Sequence, residues 1–298
     1  MSAPPHPLHE VVVDAPLVRC LLAEQHPDLA HLPLVRAGHG WDNVTFRLGD
    51  ALAVRLPARQ AAAALVEHEQ RWLPALAPLL TVAVPTPVRV GRPGAGYAWP
   101  WSVVPWLAGT AADELTAQQR DRWAPQLGSV LATLHRRAPA TAPLNPVRGV
   151  PLRSRAAAVE ERLVTAEEHL RTAWRDGLAA PEWDGPPVWL HGDPHPANLL
   201  ATDGDLAALL DWGDATAGDP ASDLGTVWAA FTAAGRARFW AAYAAGSPYA
   251  ADEARFAALR TRARAWAAAY VPVYLAHPDE HPGLARAGAH AARELATA

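Results

Sequence analysis

Lysine is absent from this chain: all 26 of its basic residues other than histidine are arginine. A Schiff-base lysine for pyridoxal phosphate, a Ser-Lys nucleophile pair and a P-loop of the GxxxxGK[ST] form are therefore excluded. Arginine does not substitute in the first two roles, because its guanidinium stays protonated and is neither nucleophile nor base. Cysteine is nearly absent as well. The single Cys20 rules out an internal disulfide framework and any CxxC metal pair, which fits a reducing interior. With a formal charge of −4 and no basic tail or arginine run, the chain has no electrostatic footprint for nucleic acid. Its longest apolar stretches, such as Ala61 to Val66, fall far below the roughly 18 residues that span a bilayer. The start, Met1-Ser2-Ala3-Pro4-Pro5-His6, lacks the charged-then-apolar order of a signal peptide. The expectation is a cytoplasmic protein with no nucleic acid or membrane partner and no evident obligate protein partner.

What is present is an ordinary globular composition. The 298 residues are 50% hydrophobic, enough for one large domain or two modest ones. Asp14 can cap a first helix with Pro16 in its first turn and Pro27 beyond its end. From Leu34 to Leu56 the pattern turns to period two. Val44, Phe46 and Leu48 alternate with polar residues, Gly49-Asp50 makes a turn, and Leu52, Val54 and Leu56 follow. This reads as a β-hairpin preceded by the glycine-rich Ala37-Gly38-His39-Gly40. Residues 59 to 77 have helical spacing, and Val82 to Leu107 returns to short strands. Helices follow. Thr116 and Gln119 fit a capping box ahead of the stripe Trp123, Leu127, Val130, Leu131 and Leu134. Residues 154 to 175, through Val159, Leu163, Val164, Leu170 and Trp174, and residues 252 to 270 read as further helices. Between them, Val188 to Leu190 and Leu206 to Leu210 are strand-like runs that each deliver a polar loop; their pairing as a hairpin would bring those loops to one end.

Charge is unevenly spread. Between Asp176 and Gly235 lie ten carboxylates and no arginine, so the rest of the chain is net positive. Ten like charges repel unless a cation or a polar network sits among them, which points to a divalent metal or a cationic substrate. Within the block, His191-Gly192-Asp193-Pro194-His195-Pro196-Ala197-Asn198 puts a carboxylate on a loop straight after a strand, with an amide five residues on. One carboxylate oxygen can meet a reacting hydroxyl there, and hard oxygens from Asn198 and Asp211 suit Mg²⁺. Leu209-Leu210-Asp211-Trp212-Gly213-Asp214 and Gly218-Asp219-Pro220-Ala221-Ser222-Asp223-Leu224 complete the ordered set.

That ordered set resembles the aminoglycoside phosphotransferases and related small-molecule kinases of protein-kinase-like fold, over most of the chain. The resemblance implies an α+β bilobal fold, with an N-terminal antiparallel sheet lobe carrying one helix, residues 1–106, and a larger helical lobe, residues 107–298. It implies Asp193 as catalytic base, Asn198 and Asp211 as Mg²⁺ ligands, and Asp219 and Asp223 as braces of the loop. His135 and His191 read as structural hydrogen-bonding residues. Gly38, Gly40 and Asn43 fall where the family has its nucleotide-covering loop. Arg55 stands where its phosphate-binding lysine usually is, with Glu69 as the best partner and Glu67 as the alternative. A guanidinium can fork onto both carboxylate and phosphate oxygens, so the exchange is workable. Trp99 to Gly109 corresponds to the hinge, where ATP or GTP would meet backbone around Pro105 to Leu107 and one of Trp99, Trp101 and Trp106.

The function so implied is ATP- or GTP-dependent transfer of the γ-phosphate to a hydroxyl of a small molecule. A cationic antibiotic of the aminoglycoside type leads; macrolides, peptide antibiotics, choline-like alcohols and sugars are the other acceptors. Glu160, Glu161, Glu167, Glu168, Asp279 and Glu280 are candidates to line an acceptor cleft for ammonium groups. Two alternatives stand beside it: metal-dependent hydrolysis with His191, Asp193 and His195 as ligands, and a non-catalytic nucleotide-binding protein of the same fold.

Overall fold

Alternating apolar and polar residues from Asn43 to Pro57 fold back at Gly49, whose φ of +60° is the left-handed conformation that a tight turn needs. The result is two paired strands, β2 (Asn43–Leu48) and β3 (Leu52–Pro57), in the register Val44 to Leu56 and Phe46 to Val54. The structure, a computed structural model, describes residues 9–39 and 43–297. Ahead of the hairpin come α1 (Ala15–Gln25), capped by Asp14 on the Leu17 N–H, and β1 (Leu34–His39). After it come α2 (Gln60–Leu76), β4 (Arg89–Gly91) and β5 (Trp101–Pro105). The strands form one antiparallel sheet in the order β1-β2-β3-β5-β4. Val44, Phe46, Leu48, Val54, Leu56, Trp101 and Val103 make its buried core together with Leu21 and Leu22 of α1.

These elements belong to one of two compact units, formed by the chain up to Pro78, Ala83–Ala108 and the short segment Asp211–Gly213. The other unit takes Leu79–Val82, Gly109–Leu210 and everything from Asp214 onward. It contains β6 (Thr110–Ala111), α3 (Ala117–Arg120), α4 (Ala124–Leu134), α5 (Leu152–Leu163), α6 (Glu168–Ala179), β7 (Val188–Leu190), β8 (Leu199–Thr202), β9 (Asp205–Leu209) and β10 (Thr216–Gly218). The helices α7 (Ala221–Leu224), α8 (Thr226–Ala230), α9 (Ala233–Gly246), α10 (Glu253–Tyr274) and α11 (Pro282–Ala296) complete it. Its core is aromatic: Trp123, Trp174, Phe231, Phe239 and Tyr243 are fully buried. An antiparallel-sheet unit and a helical unit in one α+β chain are the fold the motifs implied. No helix among the described residues is long and apolar enough to cross a membrane.

Three expectations are corrected. The capping box of Thr116 and Gln119 is present, but it caps the four-residue α3; a 3₁₀ turn at Asp121–Trp123 separates it from α4. Pro125 is the reason, since it has no N–H for a continuous helix. The helix expected over 154–175 is two helices, α5 and α6, interrupted at the β-branched pair Val164-Thr165. Val164 is 71% exposed and outside the apolar stripe. Finally, the strand-like runs at 188–190 and 206–210 do not pair with each other. β7 pairs with β10, and β9 folds back on β8 through a two-residue turn at Asp203-Gly204, both with positive φ. Leu199 to Thr202 supplies the missing strand, a short apolar run hidden directly behind Asn198.

Candidate active site

In the sheet unit, α2 buries the stripe Ala62, Val66, Glu69, Leu73 and Leu76. A carboxylate in that stripe requires a cation, and β3 provides it: Arg55 Nη1 donates to both Glu69 oxygens at 3.0 Å. Glu67 points to solvent, so Glu69 is the partner. The Trp212 N–H donates to Glu69 Oε1 at 3.1 Å, which ties the segment Asp211–Gly213 to α2. Arg55 Nη2 reaches Asp211 Oδ1 at 3.4 Å. Burial works against the Arg55 charge, but Glu69 and then Asp211 more than offset it and hold its pKa above the ordinary value. Asp211 itself has φ +56°, a left-handed conformation unusual for aspartate, and its side chain is 57% exposed.

The other expected nucleotide-side residues are placed as follows. Gly38 lies in β1 at an irregularity of the β1–β2 ladder, and Asn43 opens β2 opposite Pro57 with its Oδ1 buried and unbonded among the described residues. Gly40 lies outside the described residues. Trp99 and Trp101 are core residues, their indole N–H groups donating to Gln60 Oε1 and to the Arg92 carbonyl. Trp106 is half-buried with the Arg47 guanidinium 5.2 Å over its ring, and its backbone N–H is already taken by the Ala51 carbonyl at 2.8 Å.

In the helical unit, β7 delivers the His191–Asp193 turn, and Asp223 fixes it. Fully buried, Asp223 accepts from the backbone N–H of His191 at 2.7 Å and of Gly192 at 2.9 Å, with His135 Nε2 at 3.3 Å. His191 is equally committed: Nε2 donates to the Leu210 carbonyl at 2.9 Å and Nδ1 accepts the Asp193 N–H at 3.3 Å. His135 Nδ1 meets the Tyr243 hydroxyl at 2.9 Å. Both histidines are thus structural, and His191 has no nitrogen to offer a metal. Among the described residues no three of His, Cys, Asp and Glu gather as a ligand set, which removes the hydrolase alternative's His191-Asp193-His195 cluster.

Gly192 carries the turn. Its φ is +91°, and a Cβ there would lie 2.2 Å from the Asp214 carbonyl oxygen. Gly192→Ala is expected to cost about 2–4 kcal/mol of stability and most of the turnover; calorimetry and kcat measured on the same preparation check both.

Asp193 emerges from this frame partly exposed, at 24%. Arg148 Nη2 donates to its Oδ1 at 3.1 Å, and His195 Nε2 lies 3.5 Å from Oδ2. Burial would push the Asp193 carboxyl up, but Arg148, then His195 and His191, outweigh it and hold the group below its ordinary value. Asn198 Nδ2 donates to the Asp193 carbonyl at 2.9 Å, which leaves Oδ1 as the atom that can serve a cation. That oxygen, and the exposed carboxylate of Asp211, are hard donors of the type Mg²⁺ takes.

The acidic block is neutralised from outside itself. Asp176, Glu182, Asp184, Asp193, Asp205, Asp211 and Asp219 pair with Arg264, Arg153, Arg255, Arg148, Arg122, Arg55 and Arg262 at 2.8–3.7 Å. Asp214 accepts from Asn145 Nδ2, Asp223 holds backbone N–H groups, and Asp203 forms a turn. The compensation that suggested a bound cation is supplied by the protein's own arginines. Asp219 and Asp223 act as braces, the former through the buried Arg262. Arg148, Tyr270 and Tyr274, which surround Asp193, carry no motif; only the length of α10, which brings Tyr270 and Tyr274 into its last turns, hinted at them.

A carboxylate held ionised on a braced HGD loop, and an arginine–glutamate pair on a β-strand and its following helix, are the parts of a kinase-like phosphotransferase. Residues 33–259 match the model of the phosphotransferase enzyme family, and the chain belongs to that family. It is similar to the GDP and kanamycin complex of APH(2")-IIia, with 20% identity, a TM-score of 0.67, and coverage of 94% of this chain and 98% of that one. The macrolide 2'-phosphotransferase MphH from Brachybacterium faecium is 25% identical with a TM-score of 0.59, over 93% of this chain and 97% of that one. The streptomycin-ATP-APH(2")-IIa ternary complex is 18% identical with a TM-score of 0.56, over 85% and 86%. No curated protein sequence matches the chain.

Proposed function

We propose that the enzyme transfers the γ-phosphoryl group of ATP or GTP to a hydroxyl of a small molecule. The observation that carries this is Asp193: its Oδ1 is engaged by Arg148, and its Oδ2 remains beside His195 to receive a hydroxyl proton. In the reaction the acceptor oxygen forms its bond to γ-phosphorus, the bond from γ-phosphorus to the β–γ bridging oxygen breaks, ADP or GDP leaves, and Asp193 takes the proton of the acceptor hydroxyl. Arg55, kept protonated and aimed by Glu69, steadies the phosphates that are not transferred. Asn198 and Asp211 are the residues to hold Mg²⁺, which when bound neutralises phosphate charge. Gly38, Gly40 and Asn43 cover the nucleotide, and Trp106 is the hinge residue with ring surface left for a base. A cytoplasmic location is part of this reading, because the co-substrate it calls for is a nucleoside triphosphate.

Kanamycin and streptomycin in the solved relatives make aminoglycosides the first acceptors to try, and macrolides the second. A nucleotide-consumption assay with ATP and GTP in parallel, across a hydroxyl-bearing panel that includes both, tests the reading. Consumption that depends on one acceptor supports it; neither binding nor consumption of either nucleotide overturns it.

Arg55→Ala is expected to raise the nucleotide KM roughly ten- to a hundredfold, the worth of one or two charge-assisted hydrogen bonds, and to lower Tm because Glu69 is left buried without its cation. Arg55→Lys should retain partial activity. A kinetically silent Arg55→Ala would hand the phosphates to another arginine.

A further inference from the structure

Between α4 and α5 the stretch from Pro143 to Pro151 holds three prolines, and up to Pro151 it forms no helix or strand. Its polar groups nonetheless serve one shape. The Asn145 N–H donates to Thr216 Oγ1 at 2.9 Å, and Thr216 Oγ1 donates in turn to the Pro143 carbonyl at 3.0 Å. Asn145 Oδ1 accepts from the N–H groups of Val147 at 2.8 Å and Arg148 at 3.1 Å, while its Nδ2 donates to Asp214 Oδ1 at 2.8 Å. Gly149 closes the turn at φ +65°, where a Cβ would lie 2.5 Å from Leu190 Cδ1. The Gly149 N–H donates to Ser222 Oγ at 3.1 Å, and its carbonyl accepts the Asp219 N–H at 2.8 Å.

What this turn presents is Arg148. Its Nη2 donates to Asp193 Oδ1 at 3.1 Å, and its guanidinium lies 5.1 Å over the Tyr270 ring. Tyr270 donates its hydroxyl proton to the Ser222 carbonyl at 3.2 Å. Ser222 thus holds both Gly149 and Tyr270, and its neighbour Asp223 holds the His191-Gly192 turn, so the short helix α7 sets both ends of the Arg148–Asp193 contact. Burial works against the Arg148 charge, but Asp193, then Tyr270 and Asp214, more than offset it and keep the guanidinium a donor. The frame of Asp223 and His191 fixes the Asp193 backbone and leaves the rotamer of its carboxylate unset. Among the described residues the hydrogen bond to that carboxylate comes from Arg148, with His195 Nε2 farther off at 3.5 Å from Oδ2. A base whose oxygen is misplaced by about 1 Å loses on the order of a hundredfold in rate.

We propose that Arg148 is a positioning residue of the phosphotransfer: it pins the Asp193 carboxylate by Oδ1 so that Oδ2 is turned to the acceptor hydroxyl, and the Asn145 turn, tied to Asp214, sets where Arg148 stands. The inference rests on the phosphotransferase reading. It adds two residues that no motif marked, Asn145 and Arg148, and gives Asp214 of the LLDWGD motif a task. Arg148 itself moves no proton, since its guanidinium stays protonated; the acceptor proton goes to Oδ2.

The test uses the full chain with saturating ATP or GTP and magnesium chloride. Two rates are read: consumption with whichever compound of the hydroxyl panel the wild type turns over, and the slower background consumption with water as acceptor. The second makes the same demand on Asp193 and requires no known acceptor. Arg148→Ala is expected to lower kcat roughly a hundredfold while the nucleotide KM stays within about threefold of wild type. Guanidinium chloride at about 50 mM, set against sodium chloride at the same ionic strength, is expected to recover about tenfold of that loss, and Arg148→Lys to fall between alanine and wild type. Asn145→Ala keeps the guanidinium but loosens the turn, so kcat falls about tenfold and added guanidinium does not recover it. Both rates of Arg148→Ala within about threefold of wild type overturn the inference. So does a loss that neither guanidinium nor Arg148→Lys recovers, because Arg148 would then serve the fold alone. A raised nucleotide KM at unchanged kcat also overturns it, because Arg148 would then serve the nucleotide. If wild type consumes nucleotide and Arg148→Ala is silent, the positioning role falls and phosphotransfer stands; if wild type consumes nucleotide in neither assay, phosphotransfer falls and takes the inference with it.

Discussion

Asp193→Asn loses about 10²- to 10⁴-fold in kcat while the protein remains folded and still binds nucleotide, the range typical for removal of a general base. Asparagine keeps the size of the side chain and its Oδ1 can still accept from Arg148, so the loop frame built by Asp223 and His191 is untouched. What disappears is the basic oxygen that takes the acceptor proton. The wild-type carboxyl is held below its ordinary value against burial by Arg148 and the two histidines, so the base is ionised throughout the neutral range. Steady-state kinetics with circular dichroism on the same sample check the prediction. Near-normal turnover would remove Asp193 from the chemistry.

Asp223→Ala acts on stability first. The carboxylate is fully buried and accepts two backbone N–H groups of the His191-Gly192 turn, with His135 beside it. Truncation strands those donors away from water, at about 1–3 kcal/mol each, for a loss of roughly 2–6 kcal/mol. In a unit of this size that lowers Tm by about 5–20 °C. Turnover falls with it, because the turn that presents Asp193 depends on both N–H groups. Asp223→Asn, which retains one acceptor oxygen, should fall between. A Tm within about 2 °C of wild type for the alanine variant would show that another group holds the turn. The two variants separate roles that lie 30 residues apart in one motif set: Asp193→Asn removes turnover and spares folding, whereas Asp223→Ala damages both.

The sheet unit was legible because its signals are local. Strand alternation at Val44, Phe46 and Leu48, the turn at Gly49, and a glutamate in an apolar helical stripe at Glu69 are readable in windows of a few residues. The helical unit was less so. The pairing of β7 with β10 rather than β9 joins residues almost thirty positions apart, and no periodicity reports which of several short apolar runs will meet. Helix ends moved for a comparable reason: Pro125 and the Val164-Thr165 pair interrupt stripes whose apolar spacing continues across them.

The HGD turn with its following asparagine and the Asp211 and Asp223 motifs carry the resemblance to the family that residues 33–259 match, since those features depend on residue type and short spacing alone, whereas the absence of lysine sets this chain apart by putting Arg55 at the lysine position. The partners of those carboxylates were decided only by the tertiary structure. Arg55 pairs with Glu69 and not Glu67 because of the face of α2 that is buried, and Arg148 reaches Asp193 across 45 residues. An acidic block that looked in need of a metal or a cationic substrate is instead paired by arginines from elsewhere in the chain. Electrostatic balance is a property of distances in space, and charge counted along a chain carries its sum but not its neighbours.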